Sequence, residues 1–173
     1  MTISAGAGTP NIRQLHKFGG SSLADARCYQ RVAGIMADYS QPGDLMVVSA
    51  AGSTTNQLIS WLKLSQSDRL SAHQVQQALR RYQSELISAL LPAEVAEPLI
   101  TAFIRDLEKL AALLDAPITD AVYAEVVGHG EVWSARLMSA VLSQRDLQAC
   151  WLDAREFLRA ERAAQPQVDE GKS

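Results

Sequence analysis

The sequence has no long hydrophobic run and no excess of basic residues. No stretch approaches the roughly 18 consecutive apolar residues that a membrane-spanning helix needs, and residues 1–11 lack the apolar segment of a signal peptide. With 16 Lys and Arg against 19 Asp and Glu, the formal net charge is −3, which indicates no polybasic surface for nucleic acid or anionic membranes. We therefore expect a soluble cytoplasmic protein that binds neither nucleic acid nor a membrane.

Cysteine is scarce as well. The two cysteines, Cys28 and Cys150, show no C-x-x-C spacing, and we interpret them as buried or incidental thiols of a reducing cytosol rather than a disulfide framework. No set of His, Cys, Asp and Glu residues has the spacing of metal ligands, and no Ser-His-Asp or Cys-His arrangement is evident. The sequence therefore predicts neither a metal site nor a catalytic triad.

Hydrophobic residues make up 47% of the 173 residues, which is enough for one domain with a core. Residues 12–18 predict a strand that ends at a glycine pair, and residues 45–49 predict a buried parallel strand. A helical pattern between them completes a βαβ unit, and residues 148–152 predict a third strand. This order indicates an α/β fold. Residues 1–11 predict a flexible terminus before it.

Helical patterns dominate the rest of the chain. Residues 54–115 predict three helices, the second of which opens with a capping box of Ser71 and Gln74. A helical pattern resumes from 121 to 145, but Gly-His-Gly at residues 128–130 predicts a break, because two interior glycines cost roughly 2 kcal/mol relative to alanine. We interpret the apolar stripes of these helices as core.

A lysine precedes a glycine turn at the end of the first predicted strand. Lys17 is followed by Gly19 and Gly20, which let the backbone approach a ligand closely, and Ser22 with Asp25 fits a capping box that opens the next helix. Free N–H groups at a helix start favour an anion, and Lys17 adds a positive charge on the same side. The motif predicts a phosphate site, and the alternative is an ordinary βα turn with a solvated lysine.

Two more clusters lie where strands end or helices begin. Residues 49–56 form a hydroxyl-rich loop after the second strand, where α/β sheets bind ligands, although such loops also carry Ser and Thr simply to cap helices. Glu131 follows the predicted break, and the first turn of a new helix would favour a carboxylate that can pair with a substrate ammonium. His129 either lies close to a ligand or is a hydrogen-bonded structural residue.

These three motifs, in this order, resemble the signatures of aspartate kinases in the amino-acid kinase superfamily. The residues that carry the resemblance are 17–22, 47–52 with Thr55 and Asn56, and 128–131. The similarity runs from about residue 14 to the end. It is strongest to the bifunctional members of the methionine branch in enteric bacteria, in which an aspartate kinase is joined to a homoserine dehydrogenase.

The resemblance implies a three-layer αβα sandwich of the carbamate-kinase type. Residues 12–173 would form its N-terminal part, and residues 54–115 a helical insertion. It also implies transfer of the γ-phosphate of ATP, with Mg²⁺, to the β-carboxylate of L-aspartate, in a full-length protein that is a homo-oligomer. The implied site residues are Lys17 as the catalytic lysine on the phosphate, Gly19, Gly20 and Ser21 as further ATP-phosphate contacts, and Ser49, Thr55 and Glu131 as aspartate-binding residues.

Several parts of the family pattern do not occur in these 173 residues. The second half of the kinase domain, with its nucleotide loops and substrate-carboxylate arginine, is not found, and neither is the G-x-G-x-x-G fingerprint of a dehydrogenase that would bind NADPH. We therefore expect an N-terminal fragment of a longer bifunctional enzyme, with weak or no kinase activity by itself. Two alternatives stay open: a kinase of another amino acid or carboxylate, and a short non-catalytic binding or assembly module.

Overall fold

The structure is a computed structural model that describes residues 13–158. The flexible terminus predicted at residues 1–11 lies outside the described residues. The elements, in chain order, are β1 (Leu15–Phe18), a 3₁₀ turn (Gly20–Leu23), α1 (Ala26–Tyr39), β2 (Leu45–Val48), α2 (Thr54–Ser65), α3 (Arg69–Leu90), α4 (Ala93–Leu113), α5 (Asp120–Ser143) and α6 (Ala154–Phe157).

β1 and β2 form a parallel pair, in the register that sets Lys17 beside Val47 and Phe18 beside Val48. The N–H of Ser49 donates to the carbonyl oxygen of Phe18 at 3.0 Å, so the chain leaves β2 next to the end of β1. The predicted βαβ unit is thus confirmed. The expectation that the second strand is buried is wrong in part, because Phe18 and Val48 pack on the core whereas Val47, on the other face, is 43% exposed.

The third strand predicted at residues 148–152 is wrong, since this segment is irregular. Contacts with α5 hold it instead: the hydroxyl of Ser139 donates to the carbonyl oxygen of Ala149 at 3.2 Å. The guanidinium of Arg136 lies over the ring of Trp151, 4.6 Å from its centroid. Within residues 13–158 the sheet therefore has two strands.

The three helices predicted after β2 are confirmed as α2, α3 and α4, but both predicted capping boxes are wrong. Asp68 caps α3, and its carboxylate accepts the N–H of Ser71 at 3.1 Å and the hydroxyl of Ser71 at 2.6 Å. Asp25 caps α1 by accepting the N–H of Cys28 at 2.8 Å, whereas Ser22 lies in the preceding 3₁₀ turn. A carboxylate placed to accept the N–H three residues on serves as the N-cap in each case.

α5 runs without interruption, so the predicted break at residues 128–130 is wrong. A Cβ at Gly130 would lie 2.9 Å from the Cβ of Ala50, 3.2 Å from Cγ2 of Thr54 and 3.3 Å from Cδ1 of Leu58. Because glycine has no side chain, α5 packs directly on the start of α2 and on Ala50, which precedes α2. Burial gained in this way offsets the helix-propensity cost of the glycine.

The core has two parts, and α5 contributes to both. One part lies under the strands and includes Leu23 and Met138, and the other lies among α2, α3, α4 and α5. In the second part the rings of Phe103 and Trp133 meet edge to face, with centroids 4.8 Å apart. No helix within residues 13–158 is long and apolar enough to cross a bilayer.

Candidate active site

The three sequence motifs meet at one residue, Ala50. We call residues 19–25, after β1, the first loop and residues 49–53, after β2, the second loop. A Cβ at Gly20 would lie 3.0 Å from the carbonyl oxygen of Ala50, and a Cβ at Gly130 would lie 2.9 Å from the Ala50 methyl group. The first loop and α5 therefore both pack closely on the second loop, and at Gly130 a Cβ would force a neighbouring atom to shift.

Lys17 is exposed on β1, directly before the first loop. Its Nζ lies 3.4 Å from the position that a Cβ on Gly19 would take, so the ammonium group lies over the glycine turn. The N–H of Ser22 donates to the carbonyl oxygen of Gly19 at 2.9 Å and closes that turn. Within residues 13–158 no carboxylate forms an ion pair with Lys17, which leaves its charge available to an anionic ligand.

The second loop places hydroxyl groups around the end of β2. Ser49 is half-buried directly after the strand, and Thr55 is half-buried in the first turn of α2. Ser53 occupies the N-cap position of α2, yet its side chain accepts no capping hydrogen bond. Gly52 has a φ of +51°, a left-handed conformation that favours glycine. Helix capping thus does not account for Ser53.

Glu131 lies in the interior of α5, directly after Gly130. The expectation that it stands in the first turn of a new helix is wrong, because α5 begins at Asp120, about three turns earlier. The Gly130 contact, not the helix dipole, sets its place beside the second loop. Its side chain is exposed, and in the part of the chain that the structure describes it forms no ion pair.

His129 serves the structure of α5. Its Nδ1 lies 2.7 Å from the carbonyl oxygen of Glu125, and the side chain is 9% exposed. Arg155 lies beside this histidine and donates to Glu125 at 3.1 Å and to Asp153 at 2.7 Å. Hydrogen bonds from Arg155 lower the pKa of Asp153, and Asp153 in turn raises the pKa of Arg155. Of the two interpretations of His129, the structure supports the hydrogen-bonded structural residue.

The chain matches a known protein family. A model described as "Amino acid kinase family" matches residues 13–171. The chain belongs to the amino acid kinase family. Membership confirms the predicted α/β fold class of the amino-acid-kinase type, of which the described residues form an N-terminal part.

Individual members of the amino acid kinase family are closely similar to the chain. It is 79% identical over all 173 residues to bifunctional aspartokinase/homoserine dehydrogenase 2 of Escherichia coli (strain K12), and it spans 21% of that protein. The E. coli aspartokinase III structure in complex with aspartate and ADP (R-state) matches with a TM-score of 0.78 at 28% identity, over 90% of this chain and 34% of that one. The same enzyme in complex with lysine and aspartate (T-state) matches with a TM-score of 0.78 at 26% identity, over 90% and 35%. The predicted resemblance to aspartate kinases is confirmed.

Two polar residues on α3, which no sequence motif singled out, bond to the first loop and to the start of α2. Thr54 is fully buried, and its Oγ1 accepts a hydrogen bond from Nε2 of Gln83 at 2.9 Å. Tyr82 donates its hydroxyl to the carbonyl oxygen of Ala24 at 3.1 Å, and burial raises the pKa of Tyr82. The sequence feature that could have indicated them is Gln83, a polar residue next to Tyr82 on the apolar stripe of α3. That stripe by itself indicates only a packed helix.

The described residues form no cluster of metal ligands. Across residues 13–158 no three His, Cys, Asp or Glu side chains come together in a way that could hold a metal ion. These residues therefore provide no all-protein cage for the Mg²⁺ that the resemblance implies, an ion that usually takes only one or two carboxylates together with substrate phosphates. Both cysteines are free thiols, with Cys28 half-buried and Cys150 exposed.

Proposed function

We propose that this chain forms the aspartate-binding and phosphate-contacting part of an aspartate kinase. The observation that carries the proposal is the packing of Gly20 and Gly130 on Ala50, which brings the two loops and the Glu131 helix together. The similar proteins named aspartokinase, and the solved one in complex with aspartate and ADP, support aspartate as the acceptor. The chain spans about a fifth of the bifunctional relative, so the activity proposed is that of the whole protein.

The reaction is transfer of a phosphoryl group between two oxygens. A β-carboxylate oxygen of aspartate attacks the γ-phosphorus of ATP, and the bond from that phosphorus to the β–γ bridging oxygen breaks to release ADP. The carboxylate is already ionised near pH 7, because its ordinary pKa is about 3.9, so no general base is required. Catalysis then depends on positioning the two substrates and neutralising charge.

The proposed roles divide between the first loop and the rest of the site. Lys17 stabilises the negative charge on the transferring group, with Gly19, Gly20 and Ser21 offering N–H and hydroxyl donors to the phosphates. On the acceptor side, Ser49 and Thr55 contact the aspartate, and the carboxylate of Glu131 pairs with its ammonium group. The exposed positions of Lys17 and Glu131 and the absence of ion pairs to them within residues 13–158 support these roles.

The proposal extends to the location, the oligomeric state and the pathway of the whole protein. We propose a cytoplasmic homo-oligomeric protein that acts in the biosynthesis of lysine, threonine and methionine. Its homoserine dehydrogenase activity would use NADPH outside these residues, as the name of the bifunctional relative suggests. No step of the kinase reaction is assigned to Mg²⁺, because no three possible metal ligands come together among the described residues.

The direct test is an acceptor panel on the protein as its gene encodes it. Purified protein is incubated with ATP, Mg²⁺ and aspartate, glutamate, succinate or asparagine, and hydroxylamine traps any acyl phosphate as a hydroxamate. We expect a hydroxamate and equimolar ADP with aspartate. Product with another carboxylate and not with aspartate would replace the proposed acceptor, and no product with any acceptor would favour a non-catalytic binding module.

A further inference from the structure

The two loops of the site touch at a point where a tyrosine hydroxyl also lies. A Cβ on Gly52 of the second loop would be 3.3 Å from the carbonyl oxygen of Ala24 in the first loop, and 2.8 Å from the hydroxyl oxygen of Tyr82. That hydroxyl donates to the same Ala24 carbonyl at 3.1 Å. A single oxygen atom on α3 therefore contacts both loops, and its hydrogen bond fixes the first loop against the second.

The neighbouring residue makes the same kind of connection to α2. Gln83 is 3% exposed and donates to Oγ1 of Thr54, which is fully buried. The methyl group of Thr54 lies 3.2 Å from the position of a Cβ on Gly130, so this bond reaches the contact that sets α5 beside the second loop. A buried donor and acceptor that bond to each other resist separation, because each would otherwise be left unsatisfied.

We propose that Tyr82 is a positioning residue for phosphoryl transfer, which holds the phosphate-contacting loop at a fixed distance from the aspartate-contacting loop. The inference rests on the function proposed above. Reacting atoms must approach within about 3–3.5 Å, and a misplacement of about 1 Å can cost roughly 10²-fold in rate. Its hydroxyl contacts Ala24 and the Cβ position of Gly52, and it would act through these two residues.

Tyr82→Phe tests the proposal in the gene-encoded protein, because it removes one oxygen and keeps the ring. We expect kcat with aspartate to fall about tenfold, while the melting temperature stays within about 2 °C, since one half-exposed hydrogen bond contributes little to stability. Tyr39→Phe is the matched control, because Tyr39 is 71% exposed on α1. That variant should leave kcat, KM and the melting temperature unchanged.

A double-mutant cycle with Gly52→Ala adds a second readout. Alanine at this position places a Cβ against the Tyr82 hydroxyl and also strains the left-handed backbone of residue 52. The backbone strain is common to both backgrounds, so Gly52→Ala should lower kcat by a smaller factor in the Tyr82→Phe background than in the parent. Independent, multiplicative losses would overturn the proposal, and so would a Tyr82→Phe protein with unchanged kcat or with a lowered melting temperature alone. If the unmodified protein makes no ADP with aspartate, the proposed function fails together with this inference. If the unmodified protein is active and Tyr82→Phe is unaffected, only the role of Tyr82 fails.

Discussion

Gly128 and Gly130 lie on the same helix, and alanine should have opposite effects at the two positions. Replacing an interior helical glycine with alanine gains about 1 kcal/mol of helix propensity. A Cβ at Gly128 would meet no atom within 4 Å, whereas at Gly130 it would meet the Cβ of Ala50 at 2.9 Å and Cγ2 of Thr54 at 3.2 Å. Overpacking of this kind costs about 1–3 kcal/mol, so we expect Gly130→Ala to be less stable than Gly128→Ala by about that amount.

Hydrogen–deuterium exchange of peptides from α5 measures the difference locally, even in a protein with several domains. Gly128→Ala should slow exchange across α5, and Gly130→Ala should speed it. The same two proteins report on the site, because Gly130→Ala moves α5 away from the second loop and should raise the KM for aspartate. Gly128→Ala serves as its control for the general effect of alanine in this helix.

Equal protection of α5 in the two variants would refute the packing argument. It would mean that a Cβ at residue 130 stands farther from the Cβ of Ala50 than 2.9 Å, or that Ala50 moves away at no cost. Either outcome removes the steric reason for a glycine before Glu131. It would also remove the observation on which the grouping of the three motifs depends.

Two further predictions concern single carboxylates. Glu131→Gln should raise the KM for aspartate on the order of tenfold with a smaller change in kcat, because it removes a charged partner of the substrate ammonium. Glu125→Gln on the same helix is the control. An equal effect of the two substitutions on KM would contradict the role assigned to Glu131. Hydrogen bonds from the N–H of Gln41 and then from His16 hold the pKa of Asp44 below its ordinary value of 3.8. Because the folded pKa is the lower one, this carboxylate stabilises the fold above about pH 4, and the contribution is lost as the pH falls through the folded pKa. Asp44→Asn should therefore flatten the acid-side loss of stability, seen in melting temperatures from pH 5 to pH 2, and an equally steep loss would argue against it.

Local patterns predicted the parts of the fold that depend on neighbouring residues. The parallel pair of β1 and β2 follows from an alternating segment that ends at a glycine pair and from a short apolar run. The helices α3 and α4 follow from apolar residues at helical spacing. The same reasoning singled out Lys17 and the second loop, because α/β sheets bind ligands where strands end. It singled out Glu131 because this residue follows the predicted helix break. The structure groups these motifs, and the roles of the individual residues stay predictions.

Two of the errors arose where distant contacts decide the local structure. Propensity alone predicts a break at residues 128–130, but Gly130 is stable in a helix because Ala50 and Thr54 fill the space beside it. Residues 148–152 read as a strand, yet α5 binds their backbone through Ser139. No local pattern reveals either contact.

The central claim is that Lys17 and the loops around Ala50 belong to an aspartate kinase site. The measurement that tests it most directly is aspartate-dependent ADP formation by the gene-encoded protein, compared between the parent, Lys17→Ala and Lys63→Ala. Lys63 is an exposed lysine in the last turn of α2 and controls for the loss of a surface charge. We predict that Lys17→Ala lowers kcat at least about 10²-fold with a smaller change in the KM for aspartate, while Lys63→Ala matches the parent. An unchanged kcat in Lys17→Ala would contradict the account.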